Sequence, residues 1–400
     1  MSEDCAPLRE EAAACDAYST ADVTRLRKKW DKELVHAALA LAKARAKAAS
    51  KFGSIAAGLV ADVQGVEMAS SRAAAAWKAR RFAAAGRRVL DLCCGIGGDA
   101  MALAAAGLDV VAVDADPVRA WMAGLNARCS SLNMSIEQLL TSGDGPTDAA
   151  FHIDPSRRMK DGSTSKRVWT LGEVQPPPPV LRAVVERWKD GAIKLAPGIS
   201  YSELSQAQLE GEVEIISERG GLTQAVLWTG DLARGPGLRT ATLLPCVPSE
   251  AASDAPTLSG PPDDPAALPV WDREAAPRFI HEVDDSVERA ELLTVLCTQV
   301  GAAMLHPKLG LIAADHAIEH PMLRPFEMLE AGKWNEQRAA SVLQRLGAGS
   351  VEVKTRAKAV HPDEVQPAMT KVCAKGGRPL VLFVLRFGSE ARMLIASRVR

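Results

Sequence analysis

The stretch Val89-Leu-Asp-Leu-Cys-Cys-Gly-Ile-Gly-Gly-Asp99 decides the fold that we predict for this 400-residue chain. Its apolar start predicts a buried strand, its glycines predict a tight turn, and the residues from Asp99 onward predict a helix. A second predicted strand, Val110–Asp114, ends in an acid that stands 19 residues after Gly95. A strand, a glycine turn, a helix and an acid-tipped strand together indicate a nucleotide-binding unit of the α/β class.

The glycines and acids of this unit predict where a cofactor binds. Gly95 and Gly97 lack a Cβ, so the backbone there can approach a ligand closely or take a positive φ. Asp114 stands at the spacing at which a carboxylate meets a ribose hydroxyl pair. Asp144, in the loop after the predicted third strand, is assigned to the adenine amine. The full set assigned to the cofactor is Asp91, Cys93, Gly95, Gly97, Asp114, Ala115 and Asp144.

The charges of the glycine turn discriminate between two cofactor classes. A dinucleotide site usually receives a pyrophosphate at the helix N-terminus. Asp99, in the first helical turn, would repel a pyrophosphate, whereas Asp91 suits a cationic or amine-bearing ligand. S-adenosylmethionine carries an ammonium, a sulfonium and a ribose but no phosphate. The electrostatics therefore favour S-adenosylmethionine over NAD.

Strands and helices alternate through residues 87–245, which we predict to be the cofactor-binding domain. Gly220-Gly221 predicts a hairpin turn between the last two strands. The predicted strands are Arg88–Leu92, Val110–Asp114, Ile136–Thr141, Ala149–Asp154, Ala192–Leu195, Val213–Ser217 and Ala225–Trp228. A parallel sheet with a final hairpin is typical of the Rossmann-like class I methyltransferase fold.

Three further segments flank this domain. Residues 1–86 are rich in Ala, Leu, Lys and Arg and predict a helical N-terminal segment. Residues 246–270 are rich in Pro, Ser, Ala and Asp and predict a linker. Residues 271–400 predict a smaller α+β domain. Its predicted helices are Ser286–Val300 and Asn335–Leu346, and its predicted strands are Val351–Lys354, Leu380–Arg386 and Met393–Ala396.

Charge is distributed unevenly along the chain. The formal net charge is −1, but residues 341–400 carry eleven Lys and Arg against four Asp and Glu, a local charge of +7. A basic face of this kind is the electrostatic footprint of nucleic-acid binding, and we assign Lys354 and Arg356 to substrate binding. The alternative, an ordinary solvated surface, stays open.

The run Phe151-His-Ile-Asp-Pro-Ser-Arg-Arg158 predicts the catalytic loop. The carboxyl ends of parallel strands face the ligand crevice, so Asp154 should stand beside the transferable methyl group. Asp154 could hydrogen-bond the acceptor or take its proton. Arg157, assigned to catalysis, and Arg158, assigned to substrate binding, could hold phosphate or stack on a base. A structural ion pair between Asp154 and Arg157 is the alternative.

A lysine at the end of the fifth predicted strand completes the catalytic set. In Ala192-Ile-Lys-Leu-Ala-Pro-Gly198 the strand carries Lys194 to the crevice edge. Lys194 could contact a substrate phosphate or offset the charge of Asp154. A lysine that merely extends to solvent from a strand end is an equally open alternative.

Four runs of this sequence resemble bacterial class I S-adenosylmethionine-dependent methyltransferases that carry a C-terminal THUMP-like domain. They are Asp91-Leu-Cys-Cys-Gly-Ile-Gly-Gly-Asp99, Asp154-Pro-Ser-Arg-Arg158, Lys194-Leu-Ala-Pro-Gly-Ile199 and Ala225-Val-Leu-Trp-Thr-Gly230. The resemblance covers residues 25–245 well and 277–400 more loosely. It implies that Asp91, Gly95, Gly97 and Asp114 bind the cofactor. It also implies that Asp154 faces the acceptor and that the substrate is RNA.

Two departures from related enzymes narrow the chemistry. Ser156-Arg157 replaces the Pro-aromatic pair with which amino-methylating enzymes stack a flipped base, which puts exocyclic-amine chemistry in doubt. Uracil-C5 enzymes need a nucleophilic cysteine after strand five, but Ala196-Pro197 stands there. We therefore reject C5 chemistry of that type.

These observations predict a cytoplasmic S-adenosylmethionine-dependent methyltransferase that modifies RNA. We expect no metal ion, because no Cys/His ligand cluster is present, and no membrane contact, because no apolar run is long enough to span a bilayer. The oligomeric state is left open. Two rival functions stay open: a methyltransferase for a small molecule or a protein, and a non-catalytic RNA-binding protein that keeps the fold.

Overall fold

The computed structural model describes residues 5–15, 19–142, 146–157, 170–245, 254–271, 276–307 and 309–399. The chain divides into two compact units. The first comprises residues 1–219, 223–237 and 244–255, and the second comprises residues 220–222, 238–243 and 256–400. The predicted helical segment thus lies in the first unit together with most of the predicted cofactor-binding domain, whose residues 220–222 and 238–243 belong to the second unit.

Five helices form the N-terminal part of the first unit, as the composition predicts. They are α1 (Ala6–Ala13), α2 (Thr20–Arg27), α3 (Lys32–Phe52), α4 (Val63–Met68) and α5 (Arg72–Ala85). Side chains that precede several helices accept hydrogen bonds from the free N–H groups of the first turn, among them Asp31 before α3 and Ser71 before α5. Gly86 ends α5 in the left-handed conformation.

An α/β sheet follows in the same unit. Its strands and two short flanking strands are β1 (Val89–Leu92), β2 (Val110–Asp114), β3 (Ser130–Asn133), β4 (Ala150–Ile153), β5 (Ser156–Arg157), β6 (Val174–Gln175), β7 (Gly191–Leu195), β8 (Glu212–Glu218) and β9 (Gly221–Thr229). The helices between them are α6 (Gly98–Ala105), α7 (Pro117–Ala127), α8 (Ile136–Ser142), α9 (Pro178–Trp188) and α10 (Tyr201–Gln206).

The strand order explains how the site is assembled. Seven strands lie in the order β3-β2-β1-β4-β7-β9-β8. The pairs from β3 to β7 are parallel, and β9 runs antiparallel to β7. The carboxyl ends of β1, β2, β4 and β7 therefore meet at one edge, where ligands bind in open α/β sheets. This mixed sheet confirms the predicted α/β methyltransferase fold.

The predicted third strand, Ile136–Thr141, is wrong. Those residues belong to α8, because Ser135 and Gln138 form a reciprocal capping box: each side chain accepts from the other's backbone N–H, at 2.9 and 3.2 Å. The third strand is instead β3, whose residues are all exposed. Its polar sequence gives no apolar strand signal, and its pairing with β2 determines its conformation.

Buried carboxylates on β8 hold α5 against the sheet. Glu214 is fully buried and accepts hydrogen bonds from the indoles of Trp77 and Trp228, both at 2.7 Å. Glu212, also fully buried, pairs with Arg81 at 2.8 Å. Buried acids are costly unless such partners satisfy them. Helix α5 is thus fixed to the sheet by hydrogen bonds as well as by apolar packing.

The second unit is built on a mostly antiparallel sheet. Its strands are β10 (Arg239–Leu244), β11 (Thr257–Gly260), β12 (Phe279–Val283), β13 (Ala303–Met304), β14 (Leu311–Ala314), β15 (Leu323–Lys333), β16 (Ala348–Arg356), β17 (Arg378–Phe387) and β18 (Glu390–Arg398). Its helices are α11 (Asp285–Arg289), α12 (Leu293–Val300), α13 (Glu336–Arg345) and α14 (Pro362–Lys371). The main sheet has the order β13-β14-β12-β15-β18-β17-β16, with β16 and β17 parallel.

Two predictions for this half of the chain need correction. The interval 246–270 is more than a linker, because β11 within it pairs antiparallel with β10. The predicted helix Ser286–Val300 is interrupted between α11 and α12, where Glu291 takes a φ of 58°. The predicted helix Asn335–Leu346 corresponds to α13, and the three predicted strands lie inside β16, β17 and β18.

Gly97 is a position at which only glycine fits. Its φ is 82°, and an added Cβ would stand 2.8 Å from Ala123 Cα in α7. We expect Gly97→Ala to lower the free energy of unfolding by about 1–2 kcal/mol for the backbone conformation and by about 1–3 kcal/mol for the clash. Gly107→Ala is the matched control, because Gly107 has the same φ of 82° and open space around it. Urea unfolding that gives equal losses for the two variants would contradict the packing argument.

Candidate functional site

Asp114 joins the second strand to the glycine turn. Its Oδ2 accepts a hydrogen bond from the backbone N–H of Gly95 at 2.9 Å, and its Oδ1 accepts from that of Asp116 at 3.0 Å. Burial raises the pKa of Asp114. Each carboxylate oxygen has a second lone pair, so Asp114 can still accept hydrogen bonds from a ribose hydroxyl pair.

The glycine turn leaves open space for a ligand. Gly95 has a φ of 56°, and no atom lies within 4 Å of the position of an added Cβ. Cys93 precedes it with a φ of 55° and is half-buried. Burial, followed by the charges of Asp114 and Asp154, raises the pKa of the Cys93 thiol, so this cysteine is a neutral wall residue rather than a nucleophile.

The side chain of Asp91 is buried and contacts another protein side chain. Its side chain is 1% exposed, and its Oδ1 lies 2.7 Å from Nδ1 of His152 on the neighbouring strand β4. Its Oδ2 is buried and has no hydrogen-bond partner among the described residues. An unsatisfied carboxylate oxygen is costly, and a cationic ligand group that donates to it would remove that cost.

Ala115 and Asp144 are the two other residues discussed for the cofactor, and only Ala115 lies among the described residues. Ala115 is exposed just beyond β2, and its carbonyl accepts from Asn133 Nδ2 at 2.9 Å. Asn133 also donates to the carbonyl of Asp114, so it orders the turn after β2, a role that the sequence analysis missed. Asp144 lies outside the described residues.

These residues fit S-adenosylmethionine. Asp114 would hold the ribose, and the open turn at Gly95 would let the cofactor come close to the backbone. The free oxygen of Asp91 would accept a hydrogen bond from the ammonium of the cofactor. When bound, the cofactor supplies a methyl group already activated by a sulfonium. The cofactor-binding roles of Asp91, Gly95 and Asp114 stay predictions, and Gly97 packs against α7.

Asp154 and Lys194 meet at the same edge of the sheet. Lys194 Nζ lies 2.6 Å from Asp154 Oδ2 and donates at 3.4 Å to the carbonyl of Met68 at the end of α4. Burial opposes the lysine's charge, but Asp154 and then Asp99 outweigh it and raise the pKa of Lys194. Of the predicted alternatives for Lys194, offsetting the charge of Asp154 is the one that matches this contact.

The N-terminal helices border this edge. Lys51 Nζ donates to the carbonyls of Val66, Glu67 and Ala69 at 2.7–2.9 Å, which satisfies the end of α4. Asn126 of α7 bridges the carbonyls of Val60 and Ile96 at 2.9 and 2.8 Å. The segment before α4 is thus bonded to the glycine turn itself.

The two predicted arginines are only partly described. The backbone of Arg157 lies in β5, which pairs antiparallel with β6. Arg158 lies outside the described residues. The pairing of Asp154 with Lys194 shows that this acid already has a cationic partner, which was one of the roles considered for Arg157.

Lys354 and Arg356 are not free cations. Lys354 Nζ lies 2.6 Å from Glu282 Oε2, and Arg356 Nη2 lies 2.9 Å from Glu282 Oε1. The side chain of Lys354 is only 15% exposed. Residues 271–400 as a whole carry 18 Lys and Arg against 16 Asp and Glu, so the excess of positive charge in this domain is concentrated in its last sixty residues.

No protein-family model matches this chain. It is similar to the uncharacterized S-adenosylmethionine-dependent methyltransferase Rv3037c of Mycobacterium tuberculosis strain H37Rv, with 31% identity over 328 residues. That alignment covers 82% of this chain and 84% of the relative, and the counterpart MT3122 of strain CDC 1551 aligns with the same values.

A solved structure has the same fold. The crystal structure of a candidate methyltransferase from Porphyromonas gingivalis W83 superimposes with a TM-score of 0.78 and covers 100% of both chains. The sequence identity is 15%, so this likeness shows the fold alone.

The fold, the glycine turn and these relatives define the class: an enzyme that transfers a methyl group from S-adenosylmethionine. The chain belongs to the family of S-adenosylmethionine-dependent methyltransferases that contains Rv3037c. Within the described ranges, no helix is both long and apolar enough to cross a membrane.

Asp114 provides a direct test of the cofactor site. We expect Asp114→Ala to weaken S-adenosylmethionine binding about tenfold to a hundredfold, because a charged hydrogen-bond acceptor for the ribose is lost. Isothermal titration calorimetry measures the effect. Asp109→Ala is the matched control, since Asp109 precedes the same strand at its other end, where it pairs with Arg88. Unchanged affinity in Asp114→Ala would remove this residue from the site.

Proposed function

We propose that this methyltransferase modifies RNA and that its second unit, which we interpret as THUMP-like, binds the RNA backbone. The observation that carries the proposal is a set of exposed cations between α14 and β17. Lys371, Lys375 and Arg378 are all exposed, and none has a carboxylate partner among the described residues. Arg378 donates to the carbonyl of Leu346 at 3.1 Å, which fixes its position.

Unpaired cations are the feature that distinguishes this loop from its surroundings. Several other cations of the last sixty residues are engaged by acids, among them Arg345 by Glu330 at 2.7 Å and Arg392 by Glu390 at 3.1 Å. A cation that is already neutralised gains little from a phosphate, whereas a free one releases counterions when it binds. Phosphate contacts by residues 371–378 are therefore favoured over contacts by Lys354 and Arg356.

The proposed chemistry places the acceptor beside Asp154. Methyl transfer needs an acceptor lone pair in line with the transferred methyl group, so positioning is the main demand on the protein. Lys194 holds the Asp154 carboxylate in one orientation through their 2.6 Å contact. The second oxygen of Asp154 can then accept a hydrogen bond, or the proton, from the acceptor group.

A small molecule or a protein is the second candidate acceptor. The observation in its favour is the pairing of Glu282 with Lys354 and Arg356, together with the near balance of charges in residues 271–400. A domain so balanced has no strong field to attract RNA from a distance.

Methyl transfer to RNA tests the substrate class. We expect the purified protein to transfer labelled methyl groups from S-adenosylmethionine to total RNA from cells lacking it, and Asp154→Asn to lose at least about a hundredfold in rate, as expected for removal of an acid–base group. S-adenosylmethionine affinity should be unchanged in that variant. Transfer to a small-molecule or protein fraction but not to RNA would replace the proposal with its rival.

The salt dependence of RNA binding tests the loop. We expect the triple variant Lys371→Gln, Lys375→Gln, Arg378→Gln to lower the slope of log affinity against log salt by about 2, or roughly 0.7 for each lost phosphate contact. The matched control is the double variant Lys354→Met, Arg356→Met, which removes cations already paired with Glu282. A larger change of slope in the double variant would restore the original assignment.

A further inference from the structure

A lysine is buried beneath the glycine turn, where the chemistry described so far does not use it. Lys78 of α5 is 1% exposed. Its Nζ lies 2.7 Å from Asp99 Oδ1, 2.9 Å from His152 Nε2 and 3.4 Å from Ser70 Oγ. The ammonium forms hydrogen bonds with His152 and Ser70, and the carboxylate of Asp99 is its ion-pair partner.

The network continues on both sides of the lysine. Ser70 donates to Asp99 Oδ2 at 2.8 Å, and Asp99 Oδ1 is the oxygen that faces the ammonium of Lys78. Burial opposes ionisation of Asp99, but the adjacent charge of Lys78 outweighs it and holds the pKa of Asp99 below its ordinary value. Asp99 and Lys78 therefore form a charged pair, and Lys78 has no lone pair with which to accept a hydrogen bond.

The positive charge of Lys78 determines which tautomer His152 adopts. Because Lys78 can only donate, Nε2 of His152 must accept and carries no proton. The single proton of the neutral imidazole is then on Nδ1, which lies 2.7 Å from Asp91 Oδ1. His152 is 1% exposed, so water does not compete for either ring nitrogen. The ring becomes a fixed link between the ammonium of α5 and the acid of β1.

We propose that Lys78 and His152 are positioning residues for the cofactor: they hold one oxygen of Asp91 in a hydrogen bond and leave its second oxygen, buried and without a hydrogen-bond partner among the described residues, to accept from the ammonium of S-adenosylmethionine. The charged groups around His152 are Asp91 on β1, Asp99 on α6 and Lys78 on α5, with Lys194 on β7 acting on both acids at longer range. Lys78 satisfies Asp99, and His152 occupies one oxygen of Asp91. The other oxygen of Asp91 is buried and has no hydrogen-bond partner among the described residues.

The tautomer of His152 can be measured on the unmodified protein. In ¹⁵N spectra of histidine-labelled protein, the protonated and unprotonated nitrogens of a neutral ring have well-separated shifts. We expect one ring, identified by its absence in His152→Gln, to carry a single proton, on Nδ1, at neutral pH. An Nε2–H tautomer, or a doubly protonated ring at neutral pH, would overturn the proposal.

A pair of amides separates the two hydrogen bonds of the ring. In His152→Gln, the amide oxygen can still accept from Lys78, but nothing replaces the donor to Asp91. In His152→Asn, the shorter amide can donate to Asp91 and loses the contact with Lys78. We expect the Gln variant to weaken S-adenosylmethionine binding about tenfold or more and the Asn variant to weaken it by less than about threefold, since a hydrogen bond to a charged group is lost only in the former.

A truncated ligand distinguishes positioning from general damage. Methylthioadenosine has the adenine, ribose and thioether but lacks the ammonium. We expect His152→Gln to bind methylthioadenosine as wild type does, with a similar unfolding midpoint to His152→Asn. Equal losses of S-adenosylmethionine affinity in the two variants, or a parallel loss of methylthioadenosine affinity, would show that the network has only a structural role.

Discussion

The buried contact between Lys78 and Asp99 is the constraint on which the rest of the first unit depends. An ammonium that is only 1% exposed needs partners within the protein, and here they come from three separate parts of the chain: α6, β4 and Ser70, two residues before α5. Removing one member of a buried pair generally costs about 3–5 kcal/mol. The N-terminal helices, the glycine turn and the strand that leads to Asp154 therefore keep one relative arrangement, because moving any of them apart would break this buried pair.

Much of the fold could be predicted because the responsible signals are local. The glycine turn, the buried strands around it and the late hairpin are each contained in a few consecutive residues. The third strand could not be predicted, because β3 is polar and exposed and takes its conformation from its pairing with β2. The capping box of Ser135 and Gln138 was a readable signal for α8, and it outweighs the apolar spacing of Ile136–Thr141.

The candidate site was predictable where a residue's place in the sheet determines its neighbours. Asp154 and Lys194 follow or end adjacent parallel strands, so their meeting follows from topology. The roles of Lys78 and His152 depend on contacts between residues 74 positions apart, and no spacing rule reports those. A readable hint existed, since Lys78 lies on the buried face of an alanine-rich helix.

The attachment of α5 to β8 limits how this enzyme can be divided. Without α5, the buried acids Glu212, Glu214 and Asp99 would lose Arg81, Trp77 and Lys78, respectively, and each would be left with fewer donors. The α/β sheet is therefore not expected to be stable if it is transferred to another protein without α5. A truncation or gene fusion that separated the helical segment from the sheet would therefore leave these buried acids short of donors and destabilise the remaining sheet.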